Sequence, residues 1–141
     1  GGDLDAPFVT IPPTEPCGVE LRPLSAEPLL LACAADHPLA AESQVRLNDL
    51  KEETFVDFHP GWITRDLTDR ILAAEGIDRR VALEANDVPF LLDLVSDRLG
   101  VALVPASFRH KKTNARFVPL AEPAPIWELA VATPRPPDQA E

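Results

Sequence analysis

Positive charge is what this chain has little of. Against 23 Asp and Glu it sets 13 Lys and Arg, for a formal net charge of −10 over 141 residues. Gripping nucleic acid through its phosphates needs clustered cations, so this balance argues against a direct nucleic-acid binder. The one basic run, Arg109-His110-Lys111-Lys112 with Arg116 close behind, reads as a solvated loop. Cysteine is equally scarce. Cys17 and Cys33 are the only two and lack CxxC spacing, which leaves neither a disulfide framework nor a zinc site implied. Cys33 lies inside the apolar run 29–35 and reads as a small core residue. That run is far short of the roughly 20 residues that cross a bilayer, and no signal-peptide pattern opens the chain. The expectation is a soluble cytoplasmic protein.

Catalytic signatures are missing too. No GxSxG, P-loop, GxGxxG or HExxH occurs. His37, His59 and His110 are scattered over loops without Cys, His or Asp at metal spacing. A Ser107–His59 pair with an unnamed acid is the residual enzyme reading. Most acidic residues fall on predicted helix faces (Asp66, Asp69, Asp93, Asp97), where solvated surface accounts for them. The expectation is a non-enzyme with no metal and no cofactor.

What is present is the composition of a folded protein, 45% hydrophobic and 26% charged, long enough for one domain or one lobe. The ends are abrupt. "GGDLDAPFVTIP" begins in a strand-like stretch and "PRPPDQAE" trails off as a proline-rich tail, so the chain reads as a piece of something longer. Strand patterns cover 4–10, 19–25, 28–35, 54–58, 80–84, 101–104, 116–120 and 126–133. Helical periodicity covers 62–75, with Gly76 as a stop, and 87–99, with Asn86 or Asp87 as N-cap and Pro89 in the first turn. A short helical turn follows Pro105 at 106–109. From 54 to 109 the order is strand, helix, strand, helix, strand, short helix, which predicts parallel strands with crossover helices. Ligands in such sheets bind beyond the carboxyl ends of the strands. The three exits, 58–62, 85–88 and 104–107, should share one edge.

The first exit, "FVDFHPGWITRD", is the most informative. Pro60-Gly61-Trp62 turns the chain into a helix whose first N–H groups lack intrahelical acceptors, beside a flat indole. That suits an anion with an apolar body; the alternative is a turn whose Trp62 packs on its own domain. Arg65 stands in the first turn, where the helix dipole disfavours a cation. It needs a partner: Asp69 one turn on, Asp57, or an anionic ligand. Asn86-Asp87 is a plain N-cap or a polar ligand contact.

An ordered set of segments resembles the LysR-type transcriptional regulators. "ACAADHPLA" followed by "VRLNDLKEETFVDF" looks like the start of the second lobe of their effector-binding domain, with a short "DL" helix. "LLDLVSDRLGVALVP" resembles the family's helix–turn–strand signature, where a "GLG" turn leads into an apolar strand ending in proline. "GDLDAPFV" resembles the strand closing the first lobe and "WELAVATP" the return strand. One departure is Arg98 at the usual first Gly of "GLG"; if that position needs a positive φ, Arg costs about 1 kcal/mol there. A second is that the helix-turn-helix, the linker helix and most of the first lobe are absent from the chain.

The resemblance implies an α/β, periplasmic-binding-protein type 2-like lobe with a mostly parallel sheet flanked by helices. Residues 1–24 would end the first lobe, 25–115 form the second, and 116–141 return toward the first. It implies a sensing domain that binds a small anionic effector between two lobes. DNA would be met only through the absent helix-turn-helix domain, and the full-length protein would be a homodimer or homotetramer. A solute-binding protein of a transport system is the alternative. The second-lobe contacts expected on this basis are His59, Pro60, Gly61, Trp62, Thr64, Arg65, Asn86 and Pro105.

Overall fold

The computed structural model describes residues 8, 9 and 19–134. They fall into two compact units, one holding 8, 9, 19–27 and 126–134 and the other 28–125. In the first, β1 (Phe8–Val9) pairs antiparallel with the last strand, Ile126–Pro134, Phe8 opposite Val131 and Val9 opposite Ala130. The remainder of the strand expected over 4–10 lies outside the described residues.

The segments expected at 19–25 and 28–35 are one strand, β2 (Val19–Cys33). Ser25 to Pro28 reads as a break because proline donates no N–H, but the ladder resumes at the next residue: Leu29 N–H bonds to the Pro125 carbonyl at 3.1 Å. Two short 3-10 turns follow, Pro38–Ala41 and Leu47–Leu50, the second being the expected "DL" helix. Then come β3 (Thr54–Phe58), α1 (Ile63–Ala74), β4 (Arg80–Ala85), α2 (Val88–Ser96), β5 (Ala102–Pro105), a 3-10 turn Ala106–His110, β6 (Arg116–Pro119) and β7 (Ile126–Pro134).

The alternation from 54 to 109 gives the expected parallel set. β3 pairs parallel with β4, Phe58 opposite Ala85, and Phe55 pairs parallel with Val101 just before β5. On its other side β5 meets β2 antiparallel, Leu30 opposite Val104, and β2 pairs β6 antiparallel. The lobe sheet is therefore mixed around three parallel strands. From Phe55 to Phe58 and across all of β5 every residue is buried, as central strands covered on both faces require. Leu91, Leu94 and Val95 of α2 pack on Val56, Phe58 and Val104 to make the core.

Both helices stop by the same device. At α1, Ile77 N–H bonds to the Leu72 carbonyl and Gly76 N–H to that of Ala73, with Gly76 at φ +73. At α2, Leu99 N–H bonds to Leu94 and Arg98 N–H to Val95, with Arg98 at φ 68. This is the Schellman cap, whose pivotal residue is left-handed and usually glycine. The helical pattern read through to 99 therefore ends at Ser96, because the chain reverses at Arg98. The Arg98 side chain reaches Asp36, its Nε 2.9 Å from Oδ1 and 2.7 Å from Oδ2. Gly100 has a separate reason. A Cβ there would stand 2.9 Å from the Phe55 carbonyl carbon and 3.0 Å from the Thr54 oxygen, so any side chain would push the turn off β3.

Candidate functional site

The parallel register brings Phe58 level with Ala85, and the His59 N–H donates to the Ala85 carbonyl at 3.2 Å. Counting on from the Phe55–Val101 pair puts Val104 beside them. The three exits thus share one edge, and Phe58, Ala85 and Val104 belong to one buried cluster.

At the first exit Pro60 and Gly61 are exposed, and Gly61 takes φ +104, which favours glycine. Trp62 is the N-cap of α1 in extended conformation, and no side chain caps the helix. The first intrahelical bond runs from Asp66 N–H to the Trp62 carbonyl at 3.0 Å. The N–H groups of Ile63 and Thr64 therefore open toward the loop without a capping side chain. Thr64 is buried in this turn. The Trp62 indole stacks on Phe58, centroids 4.2 Å apart and planes 10° off parallel, while Phe108 meets Phe58 edge-on at 6.5 Å. One indole face is thus committed to the domain.

Arg65 answers its own question. Its Nη1 donates to the Phe58 carbonyl at 2.8 Å and to Glu84 Oε2 at 2.9 Å, and its Nε to Asp69 Oδ2 at 3.2 Å. Burial works against its charge, but Glu84 and Asp69 more than offset this and raise its pKa. Asp69 was foreseen; Glu84 and the carbonyl were not. Glu84 also places Oε1 3.2 Å from His59 Nδ1, so one carboxylate ties the loop to the helix. The chain of charges continues: Arg79 Nη2 lies 2.6 Å from both Asp69 Oδ1 and Asp57 Oδ2. The Arg79 guanidinium sits 5.1 Å from the Phe55 ring centre, while its Nε and Nη1 are buried without a partner. Burial pushes the Asp57 carboxyl above its ordinary range, and Arg79 pulls it back without cancelling that.

At the second exit Asn86 is exposed and Asp87 is the N-cap of α2, its Oδ1 accepting from Phe90 N–H at 2.8 Å. At the third, Pro105 ends β5, buried. Sequence reasoning named every one of these loops but missed Glu84. Its signal was its place: in a parallel pair the strand ends are adjacent, so Glu84, next to last in β4 and level with Asp57, falls beside the loop of His59 and the helix turn of Arg65.

Polar loops and an uncapped helix start are thus gathered at one edge of the α/β unit's parallel strands. The LysR substrate binding domain model matches residues 1–140, and the chain belongs to this family. It is 37% identical over 116 residues to the HTH-type transcriptional regulator YnfL of Escherichia coli (strain K12), covering 77% of this chain and 38% of YnfL. To BenM of Acinetobacter baylyi it is 30% identical over 138 residues, 93% of this chain and 44% of BenM. The chain thus spans less than half the length of these relatives. Among solved structures, the BenM effector-binding domain with its effector benzoate aligns at TM-score 0.73 and 27% identity, covering 92% of this chain and 60% of that one. The effector-binding domain of QuiR in complex with shikimate aligns at 0.75 and 23%, covering 91% and 61%, and speaks to fold alone. The fold is the expected periplasmic-binding-protein type 2-like α/β arrangement. The family is one of regulators, which sets aside both the enzyme and the transport readings. Among the described residues no helix is long and apolar enough to cross a membrane.

Proposed function

We propose that this chain is the sensing part of a LysR-family transcriptional regulator, with residues 25–115 as its second lobe. The loops at the strand exits form one wall of an effector site for a small carboxylate. The observation that carries this is the uncapped start of α1 behind Gly61, where backbone donors without a capping side chain, the dipole's positive end and the buried Thr64 converge in a chain of the LysR substrate binding domain family. BenM, a relative, is seen with benzoate, a carboxylate.

On this reading His59, Pro60, Gly61, Trp62 and Thr64 meet the effector from the first exit, Asn86 from the second and Pro105 from the third. Arg65 contributes charge from behind, because Glu84 and the Phe58 carbonyl already hold its guanidinium. The DNA contact belongs to a helix-turn-helix domain of the whole regulator, which works as a homo-oligomer in the cytoplasm. A promoter reporter driven by the full-length regulator and screened against small carboxylates tests this. An effector should emerge whose midpoint rises about tenfold or more on Thr64→Val, one charge-assisted hydrogen bond, with operator affinity unchanged. A response indifferent to Thr64→Val and Trp62→Ala would remove this loop from the site.

A further inference from the structure

The basic run after β5 takes no part in the effector reading, yet it is not a featureless loop. Arg109 and His110 close the 3-10 turn, Lys111 follows, and Arg116 opens β6. With Thr113, Ala115 and Phe117 they line a shallow cavity of about 520 Å³ that is open to solvent. Its loop is anchored. Thr113 Oγ1 accepts from Ala115 N–H at 3.1 Å and lies 3.4 Å from Ser96 Oγ on α2. Phe117, half-buried against the core, supplies an apolar wall.

No carboxylate lines this cavity. Arg109, Lys111 and Arg116 are exposed and form no ion pair among the described residues. By contrast Arg46, Arg65, Arg79 and Arg98 each hold a carboxylate. In a chain of net charge −10, three unpartnered cations around one cavity reverse the local field and attract an anion.

We infer that this cavity is a binding site for a small phosphate-bearing organic anion. The guanidinium forks of Arg109 and Arg116 match phosphoryl oxygens, Lys111 adds a point charge, and Phe117 takes the apolar part. A nucleic-acid backbone carries the same phosphates, but the acidic surface of the rest of the chain repels so extended a polyanion.

The test is a titration of the ¹⁵N-labelled chain with sodium pyrophosphate at fixed ionic strength, followed by amide chemical shifts, with sodium chloride as control. Saturable shifts confined to 108–117 are expected, which chloride does not reproduce. Arg116→Gln should weaken binding about fivefold, the range for one exposed charge, and Arg109→Gln/Lys111→Gln/Arg116→Gln should abolish it. The unshifted remainder of the spectrum reports the fold; should the triple variant lose it, Arg109→Gln/Lys111→Gln, which leaves β6 untouched, must still weaken binding. Shifts that do not saturate, spread over the surface or survive these substitutions overturn the proposal. So does a short DNA duplex that moves the same amides at lower concentration than pyrophosphate.

Discussion

Glu84 Oε2 lies 2.9 Å from Arg65 Nη1, while the same carboxylate's Oε1 lies 3.2 Å from His59 Nδ1. A cation in the first turn of α1 is unfavourable by itself. Here the last residue but one of β4 compensates it, and the Phe58 carbonyl accepts a second bond from the same nitrogen. Arg65 is therefore a brace for the loop it follows.

Arg65→Ala should consequently destabilise the fold by about 1–2 kcal/mol, the loss of a charge-assisted bond at a largely buried side chain, rather than relieve a dipole clash. Urea unfolding reads this directly. A variant as stable as the parent would mean that Glu84 and Asp69 hold it too weakly to matter.

The sequence showed the strand–helix alternation, both helix starts and all three exits, because periodicity and turn residues are local. What it did not show depended on register. The Glu84–Arg65 contact needs β3 beside β4 in parallel, and the continuity of β2 past Pro28 needs Pro125 opposite Leu29. The early end of α2 is the instructive miss. Arg98 is a good helix former, so the pattern runs through it, while in the fold the chain reverses there and Gly100 lies close against β3.

That reversal gives a paired prediction. Arg98→Gly removes a left-handed non-glycine residue, worth roughly 1–2 kcal/mol, and loses an exposed Asp36 pair worth roughly 0.2–1 kcal/mol. The net should be stabilising. Gly100→Ala should destabilise by about 1–3 kcal/mol, since the clash is with backbone. Thermal melts of the two variants should move in opposite directions, and a shift of the same sign would refute the assignment.

Arg79 and Asp57 are 5% and 4% exposed in their side chains. Arg79→Leu should strand a buried carboxylate and destabilise by about 3 kcal/mol near neutral pH. Asp57 already has a raised pKa, and losing the cation raises it further. A raised folded-state pKa makes stability highest at low pH and lost as pH rises through it. The deficit relative to the parent should therefore shrink as pH falls, and Asp57→Asn in the same chain should recover part of it. A deficit independent of pH would point to lost packing alone.

Cys33 is fully buried, and burial, helped by Glu53, pushes its thiol up to about 11 from 9.0. In the folded chain it should resist alkylation near pH 8. Between pH 9 and 11 the unfolded state ionises while the folded one does not, so stability should fall by up to about 1.4 kcal/mol per pH unit. Cys33→Ala should flatten that slope; an unchanged slope would assign it to other groups.

The central claim is that the exits of β3, β4 and β5 form an effector-binding wall. Its most direct test is an amide chemical-shift screen of the labelled chain against a panel of small carboxylates, benzoate and shikimate among them. At least one compound should give saturable shifts centred on 59–65 and 86–87, reduced about tenfold in affinity by Thr64→Val. No compound acting at millimolar concentration, or shifts centred elsewhere and untouched by Thr64→Val, would contradict it.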